Sequence, residues 1–316
     1  MNRRNAVKLF QAKFRAGKHV CVGLDTDYEK ISREVRQILM REGGNFPPLF
    51  GMDTQLRVGF NRAIIDATKD IAACYKLNRA FYEGKEGLFV LEWTLRHLRK
   101  VAPRMPWIWD AKYGDVGNTG RMYAEYTFEG LGADAVTVSP YLGREDGLDA
   151  FLGHKNKVIF VLCRTSNRGA RELQDMEVQE VALRDTQGRP KATFVEPLFG
   201  RVAKLASRDW NDNENCGLVV GATYPDELAR VRLAVGDMPI LVTGVGAQGG
   251  DLEEAVYAAI YTDPDTGKKT LPAVFNSSRG IIFASNGVDF REAAQAKTKE
   301  LNNVTKNIVK EEVSQT

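Results

Sequence analysis

The chain has 316 residues, of which 43% are hydrophobic, 27% charged and 9% aromatic. This profile is typical of a globular protein with a large apolar core, and it excludes a disordered chain or a collagen-like repeat. The 44 basic and 41 acidic residues leave a net charge of +3, which is too small to indicate nucleic-acid binding by itself. No apolar run approaches the roughly 18 residues of a membrane span, and no secretory signal is recognisable, so we expect a cytoplasmic protein.

The segment that precedes the first acidic residue, Asp25, carries only basic charges. An organelle presequence has this composition, but Val7, Phe10 and Phe14 also fall on one face of a helix. Because the segment leads directly into an apolar strand, we favour an N-terminal helix that docks on the fold.

The cysteines and histidines argue against zinc chemistry. The four cysteines are far apart, lie in or beside apolar runs and form no CxxC motif, which indicates buried, reduced thiols. The three histidines have no ligand-like spacing. We therefore expect neither a zinc site nor a histidine-based catalytic triad. These residues are Cys21, Cys74, Cys163, Cys216, His19, His97 and His154.

Eight short apolar runs, rich in Val, Ile and aromatic residues, recur along the chain and predict strands. They lie at 19–25, 73–78, 106–112, 134–140, 158–165, 217–223, 239–246 and 273–278. Most of the stretches between them have helical periodicity. Strict alternation predicts a parallel sheet covered by helices, and eight units are the number that closes a (β/α)8 TIM barrel. A doubly wound open sheet is the structural alternative.

Two intervals between the predicted strands are longer than the rest, at about 26–55 and 168–195. Both are polar and contain Gly and Pro, and neither holds an apolar set that could form a second core. We therefore expect one domain over residues 1–316, with a barrel core at about 19–285 and two loop insertions. The segment after about 287 predicts a long closing helix.

Charged residues follow the second and third strands at the end where TIM barrels carry their active sites. Asp110 and Lys112 end the third strand, and strand alternation would place both on one face, roughly 6 to 7 Å apart along the strand. Lys76 ends the second strand, and Asp115 follows in the third loop. The four charges form either a catalytic cluster or a salt-bridge network that holds the barrel mouth. Their position at two successive strand ends favours catalysis.

A phosphate site is predicted at the last two strands. The seventh strand runs into the glycine-rich turn 244–251 and then a helix, and free backbone amides at such a turn attract anions. The eighth strand ends at Arg279, whose guanidinium suits phosphate, and the loops after strands seven and eight are the usual phosphate site of these barrels. A dinucleotide fingerprint is the weaker interpretation, because no acidic residue closes a following strand. Asp25 and Ser166, at the ends of strands one and five, are by themselves typical of caps or turns.

Together these blocks resemble orotidine 5′-phosphate decarboxylases, and in particular the longer bacterial and protozoan (type 2) subgroup. The matching blocks, in strand order, are VGLD, YKLNRAFYE, DAKYGDVGNT, DAVTVSPYLG, VLCRTSN, GLVVGAT, GVGAQGGD and NSSRGI. The resemblance spans about 19–285. The chain departs from it at Leu77, Tyr113 and Arg168, where proline, arginine and proline are usual, which affects loop conformation more than the charge cluster.

The resemblance implies a homodimer without cofactor or metal that converts orotidine 5′-monophosphate to UMP and carbon dioxide, the last step of de novo UMP synthesis. It implies that Lys112 protonates C6 of the pyrimidine and that Asp110 lies against the departing carboxylate. Lys76 would belong to the same charge network near the ribose. Asp115 and Thr119 would reach the ribose of the substrate that is bound to the other subunit.

The resemblance also implies further substrate contacts. Asp25 would bind the ribose and Ser166 the pyrimidine, while Gln248 and Arg279 would bind the phosphate. The insertion at 168–195 would then be well placed to form a lid over the substrate.

Two other functions stay open. Magnesium-dependent sugar-phosphate enzymes of the same barrel group resemble this chain at strand three, but they carry a glutamate metal ligand on strand two. This chain has Lys76 there, and an ammonium group repels a divalent ion. The second alternative is a non-catalytic phosphate-binding barrel, which would need the anion site but no proton donor.

Overall fold

The structure is a computed structural model that describes residues 4–43, 51–84, 86–184, 190–246 and 249–314. For residues 180–184 and 190–194 only the backbone is described.

The described residues form twelve strands. They are β1 (Val20–Gly23), β2 (Cys74–Asn78), β3 (Trp107–Tyr113), β4 (Ala135–Val138), β5 (Val158–Arg164), β6 (Glu177–Arg184), β7 (Pro190–Pro197), β8 (Cys216–Gly221), β9 (Ile240–Thr243), β10 (Tyr261–Thr262), β11 (Lys269–Thr270) and β12 (Ala273–Ser277). Eight of them close into a parallel barrel in the order β1-β2-β3-β4-β5-β8-β9-β12, with β12 paired to β1. The predicted (β/α)8 barrel is confirmed.

Eleven helices are found in the same described ranges. They are α1 (Ala6–Arg15), α2 (Arg33–Glu42), α3 (Met52–Thr68), α4 (Gly87–Val101), α5 (Gly117–Glu125), α6 (Asp149–Leu152), α7 (Leu198–Arg208), α8 (Pro225–Val235), α9 (Leu252–Ala259), α10 (Arg279–Ile282) and α11 (Phe290–Ser314). None of these helices is long and apolar enough to cross a membrane. The closing helix predicted after residue 287 is α11.

The barrel strands are apolar because both of their faces are covered. Every residue of β1, β4, β8 and β12 is buried, between the side chains that fill the barrel and the helices outside it. All four cysteines are buried and unpaired, as predicted.

The N-terminal helix docks on the barrel, as predicted. Phe10 of α1 is buried in an apolar cluster with Phe160 of β5 and Val274 of β12. Arg4 precedes the helix, and its guanidinium contacts the buried carboxylate of Asp134 at 2.6 Å. The helix therefore covers the end of the barrel at which the strands begin.

The two long intervals carry secondary structure of their own. The first contains α2, whose Val35 and Leu39 are buried against the main core. The second contains a 3-10 turn at Arg168–Glu172 and the antiparallel hairpin of β6 and β7. The hairpin leads directly into α7, which packs on β5 and β8.

Candidate active site

The third barrel strand is irregular where it carries the candidate catalytic residues. β3 and β4 pair in register up to Trp109 and again at Tyr113, but only Thr137 of β4 lies opposite the three residues between them. This bulge gives Lys112 a left-handed backbone with φ 51°. We predicted that regular strand alternation would place Asp110 and Lys112 on one face, but the bulge interrupts that alternation. The bulge places their charged ends 2.6 Å apart instead.

Four charged side chains meet at the ends of β1, β2 and β3. The Asp110 carboxylate accepts a hydrogen bond from Lys76 Nζ at 2.8 Å through Oδ2, and from Lys112 Nζ at 2.6 Å through Oδ1. Asp25 Oδ1 lies 3.9 Å from Lys76 Nζ. The structure therefore brings together Asp25, Lys76, Asp110 and Lys112, with alternating signs.

Burial and charge act in opposite directions in this cluster. Burial by itself would raise the pKa of Asp110, but Lys76 and Lys112 outweigh it and hold that pKa well below its ordinary value. Burial would lower the pKa of Lys76, but attraction to Asp110 and Asp25 raises it above its ordinary value. Both groups are therefore charged at neutral pH. The side chains of Lys76 and Asp110 are 4% and 8% exposed, whereas that of Lys112 is 48% exposed and accessible to a substrate.

Two hydroxyl groups complete the cluster, and no role was predicted for either of them. Thr137 Oγ1 donates to Asp110 Oδ1 at 2.9 Å, and Ser278 Oγ donates to Asp25 Oδ2 at 2.7 Å. Gly23 makes room for the second contact, because a Cβ at that position would lie 1.8 Å from Ser278 Oγ. Both hydroxyls lie in blocks that carried the resemblance, but no spacing rule singles them out.

Asp115 and Thr119 lie beside the cluster rather than in it. Asp115 is partly exposed, and its Oδ1 accepts a hydrogen bond from the Val116 N–H at 2.8 Å. Thr119 is exposed on the first turn of α5. Among the described contacts, no hydrogen bond or ion pair joins either residue to Asp110.

The remaining predicted contacts are spread along the same end of the barrel. Ser166 is partly buried after β5, and its carbonyl accepts a hydrogen bond from Thr223 Oγ1 at 3.4 Å. Arg279 lies two residues after the end of β12 and is exposed. Gln248 lies outside the described residues.

The glycine-rich turn after β9 packs closely on its neighbours. A Cβ on Gly250 would lie 2.6 Å from the Cβ of Ala222, so only glycine fits there. Asp251 caps the helix that follows by accepting from the Glu254 N–H at 3.0 Å, which occupies one amide of the first turn of α9. The predicted anion site at this turn and Arg279 therefore stays a prediction.

A cavity of about 980 Å³ lies at the opposite end of the barrel, where the strands begin. α1, α11 and the residues before the strands line it, and none of the predicted site residues that the structure describes reaches it. Because TIM-barrel enzymes carry their active sites where the strands end, the charge cluster is the candidate active site.

Comparison with known proteins agrees with the resemblance. The sequence profile of the orotidine 5′-phosphate decarboxylase / HUMPS family matches residues 18–296. An orotidine 5′-phosphate decarboxylase of Herpetosiphon aurantiacus is 40% identical over 294 residues, which cover 91% of this chain and 94% of the relative. One from Halorubrum lacusprofundi is 50% identical over 266 residues, covering 84% and 82%.

Solved structures give the same result. The Leishmania donovani OMP decarboxylase superimposes with a TM-score of 0.70 at 32% identity, covering 95% of this chain and 98% of the other. The family profile and the relatives each cover most of the chain. This chain therefore belongs to the orotidine 5′-phosphate decarboxylase / HUMPS family.

Proposed function

We propose that this chain decarboxylates orotidine 5′-monophosphate to UMP and carbon dioxide without a cofactor, in pyrimidine biosynthesis. The observation that carries the proposal is the cluster of Lys76, Asp110 and Lys112 at the ends of β2 and β3. The two relatives named above are orotidine 5′-phosphate decarboxylases by name, and their matches to this chain cover 94% and 82% of their own lengths. The cytoplasmic location stays a prediction.

Lys112 supplies the group that the reaction needs. When the bond between C6 and the carboxylate breaks, its electron pair stays on C6 in the plane of the ring, where no π system delocalises it. The exposed ammonium of Lys112 stabilises that charge and then donates a proton to C6. The resulting amine regains its proton from water, so the cycle closes without a metal or a redox step.

Asp110 acts on the substrate carboxylate. At an effective dielectric near 20, two carboxylates in contact repel by a few kcal/mol, and this repulsion disappears as carbon dioxide leaves. Asp110 also holds the ammonium groups of both lysines. Its repulsion alone is too small, since large enzymatic accelerations require on the order of 20 kcal/mol.

The rest of that stabilisation comes from the preorganised lysine charges and from binding remote parts of the substrate. Asp25 contacts the ribose, Ser166 contacts the pyrimidine, and Arg279 binds the phosphate together with Gln248. The position of Asp25 beside Lys76 supports the ribose contact, and the exposed guanidinium of Arg279 at the end of β12 supports the phosphate contact.

The insertion at 168–195 forms a lid within a single barrel domain that spans the chain, with 26–55 as a second insertion. Its base is tied to the end of β5, next to Ser166. Asp175 Oδ1 lies 2.9 Å from Nε of the buried Arg164, and Gln174 Oε1 accepts from the Thr165 N–H at 2.8 Å. Movement of the hairpin would therefore be transmitted to the substrate pocket.

A second copy of the chain completes the site. Asp115 and Thr119 act on the substrate of the other subunit, which is consistent with their position outside the cluster. Three exposed apolar side chains lie in the same loop and helix or after the neighbouring strand β4. They are Val116, Met122 and Tyr141, the last of which is 77% exposed. Exposed apolar side chains in this region are consistent with a subunit interface.

The proposal is tested by replacing Lys112 and following the absorbance change as orotidine 5′-monophosphate is consumed in metal-free buffer. We expect Lys112→Ala to lower kcat by at least about 10³-fold, because it removes both charge stabilisation and the proton donor. Lys299→Ala, at an exposed site on α11, is the matched control and should match the wild type. Equal rates for Lys112→Ala and the wild type would contradict the role of Lys112. Activity that stopped when a chelator was added would favour the magnesium-dependent alternative.

A further inference from the structure

Thr137 is a buried polar residue that the proposed mechanism leaves without a role. It lies on β4, and it is 1% exposed. Its neighbours on the strand, Val136 and Val138, are buried and apolar. A hydroxyl in such surroundings is unfavourable unless it is fully hydrogen-bonded.

The Thr137 hydroxyl makes one hydrogen bond in each direction. It donates to Asp110 Oδ1 at 2.9 Å and accepts from the Lys112 backbone N–H at 3.0 Å. A hydroxyl has one proton and two lone pairs, so it makes both bonds at once. One side chain thus joins the carboxylate and the main chain of the two residues closest to the proposed chemistry.

These bonds coincide with the break in the pairing of β3 and β4. In an unbroken ladder, the backbone N–H groups of β3 that face β4 would bond to β4 carbonyls. At the bulge, the Lys112 N–H bonds to the Thr137 side chain instead, and Lys112 takes its left-handed conformation. That conformation is unfavourable for a residue other than glycine and persists only where its surroundings impose it.

We infer that Thr137 is a positioning residue, which fixes the Asp110 carboxylate and the Lys112 backbone so that the Lys112 ammonium points at the reacting carbon. The inference rests on the proposed roles of Asp110 and Lys112. Thr137 does not itself touch the substrate. Its loss therefore impairs the chemical step and leaves substrate binding nearly unchanged.

The test is Thr137→Val, which keeps the shape of the side chain and removes the hydroxyl. We expect kcat to fall about 10- to 100-fold, the range for losing hydrogen bonds to a charged group and a buried N–H, with KM within about threefold. Thr137→Ser keeps the hydroxyl and should recover most of the rate. Thr298→Val is the matched control, because Thr298 is equally buried but donates to the Ala294 carbonyl in α11.

A combined variant separates positioning from general destabilisation. If Thr137 acts through Lys112, Thr137→Val should cost little further rate in a Lys112→Ala background, whereas independent effects would multiply. Thermal melting establishes that each variant is folded, and Thr137→Ala replaces Thr137→Val if the valine variant does not fold.

Two results would overturn the inference about Thr137 and leave the proposed role of Lys112 intact. They are a folded Thr137→Val enzyme with wild-type kcat beside an impaired Lys112→Ala enzyme, and a full multiplicative loss in the combined variant. A Lys112→Ala enzyme with wild-type kcat would instead overturn the proposed role of Lys112, and the inference with it.

Discussion

At the scale of single residues, the charge balance of the site depends on Asp110. Its carboxylate is the shared partner of Lys76, Lys112 and Thr137, and the Lys76 side chain is even less exposed than that of Asp110. Removing one partner of a buried ion pair leaves an uncompensated charge, which is typically strongly destabilising. Asp110 therefore stabilises the fold in addition to its proposed role in catalysis.

The stabilisation by Asp110 should depend on pH. A carboxyl whose pKa is lowered by folding stabilises the protein above its unfolded value, here 3.8, and this contribution is lost as the pH falls below that value. We expect Asp110→Asn to lower the free energy of unfolding by about 3 kcal/mol at neutral pH. The difference from the wild type should shrink as the pH is lowered.

Urea unfolding over a series of pH values measures this difference. Asp146→Asn is the matched control, since Asp146 is exposed and its left-handed backbone, φ 58°, suits asparagine. A deficit in Asp110→Asn that did not change with pH would mean that lost packing, rather than lost charge, is the cause.

At the scale of elements, the apolar runs predicted the strands well because most residues of the barrel strands are buried, on both faces of the sheet. The bulge in β3 was not predictable in this way. It depends on the pairing of β3 with β4, and on a hydroxyl of β4 that takes the place of a backbone partner. Residue types along β3 alone contain no signal of that partner.

The β6–β7 hairpin should change its dynamics when substrate binds. If it is a lid, amide hydrogen exchange over 177–184 and 190–197 should slow severalfold with UMP bound, because closure removes open states. Hydrogen exchange with mass spectrometry, with and without UMP, measures this. Amides of α4, on the outer layer of the barrel, should exchange equally in both states. Unchanged exchange in the hairpin at saturating UMP would rule out a lid.

At the scale of the whole molecule, the two ends of the barrel have different tasks. α1 packs on the end where the strands begin, and Phe10 is buried there in an apolar cluster with Phe160. The charge cluster lies at the other end, where loops of different lengths follow the strands. This separation lets the site region vary without disturbing the packed core.

The proposed dimer can be tested by mixing two inactive variants. Lys112→Ala and Asp115→Ala should each be strongly impaired. When equal amounts of the two variants reassemble at random, half of the dimers are mixed. If Asp115 serves the other subunit, each mixed dimer contains one intact site, so activity should return to about a quarter of wild type. Steady-state rates before and after denaturation and refolding of the mixture measure this recovery. No recovery, with dimers present by light scattering, would place Asp115 in its own subunit's site.

The number and order of the barrel strands, the docked terminal helix and the candidate charged residues could all be predicted from the sequence alone, because these follow from local apolar patterns and from motif position. The pairing of the charges, in contrast, became visible only in the folded barrel. Lys76 and Asp110 are 34 residues apart in the chain, and Ser278 and Asp25 are 253 apart. Such contacts depend on which strands are neighbours and in what register, and that information belongs to the closed barrel rather than to any segment of the sequence.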